Sequence, residues 1–442
     1  MNRIALNACM WGMALMFPML LCAQEKDSLG QTAPKENTLK VDLQMLTHGE
    51  IRNGGMAEAE EDQKSQFLMN RERLLIGYER TGLETRLNIQ HSGIWGQSGK
   101  GAFNVFEAWA RMKAKNGLFA QVGRVALAYD DERIIGTNDW AMAALSHDVI
   151  RAGYEGNNHK AHLILAYNQN AECLTQGGNF YANGAQPYKS MLTAWYHYDF
   201  PKIPLGASVL FMNIGMQSGE KDNDPHSEYQ QLIGTYLSYK PKHWRLEASY
   251  YHQLGKNEEK MKIDAWMASA KADWSPADNY GFEAGFDYLS GDKQFAVPPS
   301  GAIGMTRHDK LRGFNPIYGS HHKFYGAMDF FYVSTYVFGF TPGLQNAFAG
   351  IHFNPIKNLT VKANYHYMAT ATKLVDMNMT LGHQIGVEAR YAFAKDIRLS
   401  AGYSFMTGTE TMEKLKRASD NGSLRWAWFS LSISPRIFAV NW

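Results

Sequence analysis

The feature that most constrains this chain is an alternation of period two, renewed every ten residues or so from about residue 40 onward. In residues 83–90, Leu83, Thr85, Leu87 and Ile89 take one parity, and Glu84, Arg86, Asn88 and Gln90 the other. Trp244, Leu246, Ala248 and Tyr250 alternate with Arg245, Glu247, Ser249 and Tyr251. Leu359, Val361, Ala363, Tyr365 and Tyr367 alternate with Thr360, Lys362, Asn364 and His366. Ile385, Val387, Ala389, Tyr391 and Phe393 oppose Gln384, Gly386, Glu388 and Arg390, and Ile397, Leu399, Ala401, Tyr403 and Phe405 oppose Arg398, Ser400, Gly402 and Ser404. Successive side chains of a strand point to opposite faces, so each segment is a strand with one apolar and one polar face.

A soluble sandwich would alternate too. Two features point instead to a transmembrane β-barrel. Tyr and Trp gather near strand ends, at Trp244, Tyr367, Tyr403, Trp426 and Trp428, where amphipathic rings suit the headgroup level. Short turns at 80–82, 115–117, 156–159, 200–204, 241–242, 275–279, 354–358 and 394–396 also alternate with links that are mostly longer, at 52–66, 96–102, 130–146, 172–188, 217–227, 255–261, 291–343, 370–381 and 409–422. Short periplasmic turns and long extracellular loops are the pattern of an outer-membrane barrel. Eight hairpins, a first strand near 41–50 and a last near 424–434 give an all-β, antiparallel barrel of about 18 strands. The tally treats 324–340 as outer loop; two further strands there would raise it.

The hydropathy agrees. Beyond the N-terminus no run reaches the roughly 20 apolar residues of a membrane helix, and mean hydropathy is −0.37. A barrel passes that test because only alternate side chains meet lipid. Residues 1–23 read as a signal peptide, with Arg3, an apolar core over 8–21 and the cleavage site Leu21-Cys22-Ala23. Residues 24–38 read as a periplasmic lead-in and 39–442 as one barrel domain. Loss of the signal removes Cys9 and Cys22 and leaves Cys173 alone, so no intramolecular disulfide forms. The closing Phe438-Ala439-Val440-Asn441-Trp442 offers the outer-membrane assembly machinery an aromatic end at Trp442.

Charge narrows the function. Removing Arg3 leaves 43 basic residues against 42 acidic ones, with no basic block to serve as a nucleic-acid footprint. Arg or Lys facing lipid at mid-depth costs about 2–4 kcal/mol. Arg71, Arg73, Glu84, Arg86, Glu107, Arg111, Arg245, Glu247, Glu283, Asp287, Lys362, Glu388, Arg390 and Arg398 are therefore placed in the lumen. Each could be an ion pair that merely lines the wall; together they make a charged passage. No nucleophile elbow, HExxH or Walker loop is present. No enzyme activity and no cofactor are expected. His321-His322 and His147-Asp148 are poor metal sites because neighbours on a strand face apart.

One stretch stands out, GRVALAYDDERIIGTNDW over 123–140, an apolar strand that runs into a loop of carboxylates around an arginine. Gly123, Arg124, Leu127, Tyr129, Asp130, Asp131, Arg133, Gly136, Asp139 and Trp140, with Ser146, His147 and Asp148 following, resemble the signature of the alginate export porin family. The resemblance implies an 18-stranded outer-membrane barrel with a charged constriction, and it does not specify a substrate. The segment 311–331, with Gly313, Phe314, Pro316, Tyr318 and Gly319, also resembles the family and suggests a loop that plugs the mouth.

On this reading Arg124, Arg133 and Arg151 form a positive lining, oriented by Asp130, Asp131, Asp139 and Asp148. The same groups could simply tie the loop to the wall. Trp140, Tyr129 and Trp109 could stack sugar rings or pack the loop. The expected protein is a monomeric outer-membrane porin, in contact with the lipid bilayer, for a small anionic or sugar-like solute: a sugar acid, oligosaccharide or carboxylate. The alternative is a barrel enzyme or adhesin with a blocked lumen.

Overall fold

The structure is a computed structural model, and it describes residues 37–53, 64–97, 101–175, 177–182, 184, 186–221, 224–292, 310–329, 331, 341–416 and 423–442. The expected signal peptide, the lead-in up to residue 36 and residues 332–340 lie outside the described residues. Eighteen strands among the described residues form one closed antiparallel barrel. They are β1 Thr38–Asn53, β2 Lys64–Arg80, β3 Leu83–Ile94, β4 Ala102–Lys113, β5 Leu118–Val125 and β6 His147–Gly156. Next come β7 His159–Tyr167, β8 Ser190–Asp199, β9 Leu205–Ser218, β10 His226–Tyr239, β11 Trp244–Lys256 and β12 Lys262–Ala277. The last are β13 Tyr280–Leu289, β14 Leu344–Ile356, β15 Leu359–Ala369, β16 Thr380–Ala394, β17 Ile397–Gly408 and β18 Ser423–Ile433, which continues past Pro435 as Arg436–Asn441.

Each strand pairs with its sequence neighbour, and β18 returns to β1 through Met45↔Ile433 and Thr38↔Asn441. Trp442 extends the seam, where its backbone exchanges two hydrogen bonds with Asn37, at 2.8 and 3.0 Å. All eight turns read from the sequence connect the strand pairs expected of them. A pairing of only two residues, Lys310–Leu311, runs parallel to β12 above β13.

The alternation is realised as an apolar outside and a polar inside. Ile351, Ile385, Tyr403 and Phe429 project from the outer face, and Asn88, Gln121, Ser249, Ser269 and Asp287 are buried inside. Two bands of rings bound the apolar belt on neighbouring strands. Tyr250, Trp266 and Tyr288 stack toward the loop end, and Trp244, Trp274 and Phe282 toward the turn end. Trp266 and Trp274 are about 26 Å apart along β12 at roughly 3.3 Å per residue. A tilt of about 40° reduces that to about 20 Å, the order of an outer-membrane belt. Ala268, Ala270 and Ala272 fill the interval.

Trp426 and Trp428 correct the sequence reading. Both are buried on the inner face, while Phe429 takes the lipid side. Their parity on β18 is that of Leu424, and they pack beneath a loop that enters the barrel instead of joining the ring belt.

With strands about 4.8 Å apart and tilted about 40°, eighteen strands enclose a backbone cylinder of roughly 18 Å radius. Wall side chains cannot close such a tube. Two inserted segments narrow it.

Candidate constriction of the lumen

The loop between β5 and β6, residues 126–146, begins as an apolar strand end and becomes a tight knot. The Tyr129 amide donates to Ile135 O at 3.1 Å, and the Glu132 amide to Tyr129 O at 2.9 Å. Asp130, Glu132 and Asn138 hold positive φ angles of 54°, 68° and 46°, a strain that persists only where surroundings over-determine it. Leu127, Ile134 and Ile135 supply that hold, because each is almost wholly buried in the apolar cluster beneath the mouth.

Polar side chains from around the barrel grip the same loop. From β2, Arg71 Nη1 donates to the carbonyls of Asp139 and Ala141, both at 3.0 Å, and Arg73 Nη1 reaches Asp139 Oδ1 at 2.6 Å. Gln90 on β3 donates to the carbonyls of Met142 and Ala143. His162 on β7 and Arg151 on β6 meet the Tyr129 hydroxyl at 2.9 and 3.2 Å. Trp195 Nε1 on β8 donates to Asp130 Oδ1 at 3.1 Å, and Asp287 on β13 pairs with Arg133 at 3.0 Å. A loop held from β2, β3, β6, β7, β8 and β13 crosses the lumen.

Residues 310–329 pack on this loop as a second layer. The Gly136 amide donates to Tyr318 O, the Tyr318 amide to Ile134 O and the Ser320 amide to Glu132 O, at 2.9, 3.1 and 2.9 Å. A Cβ on Gly319 would lie 2.1 Å from Arg133 O, so the contact requires glycine. Lys323 and Ser320 both reach the Glu132 carboxylate. Burial pushes that carboxyl up, yet Lys323, the Thr137 amide and Ser320 together outweigh it and hold the group below its ordinary value.

Arg133 is fully enclosed. It meets Asp131 at 3.2 Å, Asp287 at 3.0 Å and the Tyr325 hydroxyl at 3.0 Å, with its guanidinium 3.9 Å from the Phe324 ring centre. Burial works against its charge, but Asp287, Tyr325 and Asp131 more than compensate and raise its pKa well above normal. Asp130 goes the other way: burial pushes its carboxyl above the ordinary value.

The expected positive lining is therefore not assembled as read. Arg133 ties the plug to the wall. Arg151 turns to Gln121 Oε1 at 2.9 Å and to Tyr129. Arg124 and Asp148 lie opposite each other on β5 and β6, on the face of Val122 and Ile150, whereas Gln121, His147 and Arg151 face inward. They form a bidentate pair at 2.8 and 2.7 Å on the outside of the barrel, clasping the two stems of the loop. Strand parity decides this: Arg124 is an odd number of residues from inward Gln121.

Trp140 stacks on His322 at 4.3 Å and 5°, and presents edges to His48 and Trp428, so it packs the plug. Trp109 Nε1 donates to Glu107 at 3.1 Å. Arg111 pairs with Glu155 at 2.9 Å over the Phe119 ring, Arg86 lies 3.5 Å from Glu107 and Arg390 pairs with Glu388. Arg398 is exposed without an ion-pair partner among the described residues. Those residues hold no cluster of three metal-ligating side chains.

The water-accessible passage lies on the far side of the plug. A cavity of about 390 Å³ separates Asp131, Glu132 and Lys323 from the wall of β10–β15 and is lined there by Tyr236, Arg245, Glu247, Ser249, Lys271, Glu283, Phe348, Asn364 and His366. A second space of about 500 Å³, toward the periplasmic turns, shares Arg245, Lys271 and Glu283 and adds His352 and Lys362. Tyr236, Lys271 and Lys323 were not singled out from sequence. Their strands alternate, but nothing in one chain says which wall faces the open side of a plug.

Fold comparison places the chain among known barrels. It superposes on Pseudomonas aeruginosa OccK5 (OpdH) with a TM-score of 0.59 at 12% identity, over 90% of this chain and 98% of that one. The BenF-like porin from Pseudomonas fluorescens Pf-5 gives 0.60 at 11% identity, over 90% and 99%. Acinetobacter baumannii OccAB4 gives 0.59 at 10% identity, over 94% and 100%. The fold is that of an outer-membrane porin. No family profile and no curated relative matches the chain, so the likeness to alginate export porins rests on the motif alone. Among the described residues the short turns lie at one end of that barrel and the longer links at the other.

Proposed function

We propose that the protein is a diffusion channel for a small hydrophilic anion, such as a sugar acid, an acidic oligosaccharide or a carboxylate. One observation carries the sign. At three ion pairs the cation is the more exposed member: Arg245 is 52% exposed against 12% for Glu247, Arg390 53% against 27% for Glu388, and Lys323 49% against 21% for Glu132, while Lys271 and Glu283 on the cavity wall are nearly equal at 29% and 32%. Exposed Lys362 and Arg398, in no ion pair among the described residues, add to that presentation. On the opposite wall Arg71 and Arg111 are the buried partners, but there the inserted loop occupies the space. Charged rings in a narrow lumen select by sign, and a cavity of several hundred Å³ suits a solute the size of a sugar.

A monomeric channel, with the Trp442 end read by the assembly machinery, is part of the same proposal. No enzymatic role is invoked. Swelling of liposomes that contain the purified chain tests the reading directly. Sugar acids and small carboxylates should enter faster than neutral sugars of equal size. Equal rates would remove the sign preference, and no swelling would favour a blocked barrel.

A further inference from the structure

We propose that Lys256, Lys262 and Lys310 form a docking site for the phosphate groups of an outer-leaflet lipid. The site is independent of the channel reading. Cross-strand register sets Lys256 opposite Lys262, and the short parallel pairing sets Lys310 on the other side of Lys262. Like charges directly opposite one another on a sheet are destabilising. Lysines are often placed on open strand edges to prevent association, but a closed barrel has no such edge.

Their partners leave the row under-compensated. Lys310 shares Asp264 with His252, at 3.0 and 3.2 Å, and Lys256 reaches Glu228 only at 3.8 Å. Lys262 is exposed and has no ion-pair partner among the described residues. Glu258 and Glu259 sit in the turn beyond the row and pair with none of the three. The deficit calls for an anion from outside the chain.

Depth identifies that anion. Lys262 shares the outer face with Asp264 and Trp266, and the stacked rings of Tyr250, Trp266 and Tyr288 mark the upper edge of the apolar belt. Four residues separate Lys262 from Trp266, about 13 Å of strand, which puts the ammonium groups in the headgroup layer. A lipid whose phosphates rest among the lysines would lay its acyl chains over those rings and Ala268. Lys is a compact point charge suited to phosphate without fixed geometry.

The test is lipid retention by the full chain in detergent, read by native mass spectrometry. The probes are diphosphorylated lipid A, its dephosphorylated form, a zwitterionic phospholipid and inorganic phosphate. Each ammonium near an anionic lipid contributes roughly fivefold, so the triple variant K256Q/K262Q/K310Q should bind the diphosphorylated lipid about 100-fold more weakly. Lys262→Gln alone, which breaks no ion pair or side-chain hydrogen bond among the described residues, should cost about fivefold. Lys395→Gln at the periplasmic end should cost nothing, and the dephosphorylated and zwitterionic lipids should bind the wild type no better than the triple variant. Equal retention of all lipids, unchanged retention in K262Q, or capture of inorganic phosphate without lipid preference would each overturn the proposal.

Discussion

The enclosed arginine at the centre of the plug gives the sharpest test of how the passage is narrowed. In Arg133→Met the Asp131 and Asp287 carboxylates lose their cation, although Asp287 still accepts from Ser269 at 2.7 Å and Asn346 at 2.8 Å. Breaking a buried pair by removing one partner costs about 3–5 kcal/mol. Arg133 takes no part in any strand ladder, so that cost falls on docking of residues 126–146 and leaves barrel closure alone. At the lower figure, the docked-to-undocked ratio falls about 150-fold. In planar bilayers the variant should show a larger mean conductance with flicker, and the amides of 129–139 should lose protection against hydrogen exchange. Adding Asp287→Asn removes the stranded charge and should restore part of both. If Arg133→Met keeps wild-type conductance and protection, this cluster does not hold the loop.

Other perturbations separate the plug's parts. Gly319→Ala drives a methyl group into the Arg133 carbonyl, so the two inserted segments should part and protease should cut within 126–146 faster than in the wild type. For Asp130, burial raises the folded pKa. The stability of its neutral form is then full below the unfolded pKa and lost as pH rises through the folded one. Asp130→Asn should remove that share of the loop's weakening between acid and neutral pH, measured as conductance noise against pH; a wild-type noise profile would contradict it. Arg124→Gln breaks an exposed pair outside the barrel, so ion selectivity should be unchanged and stability should fall by no more than about 1 kcal/mol, checked by reversal potential and by thermal melting in detergent.

Period-two patterning made the barrel legible because membrane and water impose opposite demands on alternate residues, and hairpins too short for any other connection pointed to about eighteen strands, with residues 324–340 left open. The inserted loop was legible from the barrel around it and from the motif resemblance, since its charge alone fits an ordinary solvated turn. What its charges do was not, because salt bridges such as Arg133–Asp287 span 154 positions and depend on which wall the loop touches. Arg124 shows the other limit: at a strand end one residue of phase separates lumen from lipid. Trp426 and Trp428 show a third. Aromatic rings near strand ends suit a headgroup belt or a packed mouth equally well, and only the plug above them decides.

The sign of the passage is tested most directly by the reversal potential of single channels across a potassium chloride gradient. Wild-type channels should reverse toward the chloride potential, and R245E/K362E/R390E should reverse toward the potassium potential. Absence of discrete conductance, or cation preference in the wild type, would contradict an anion-selective porin.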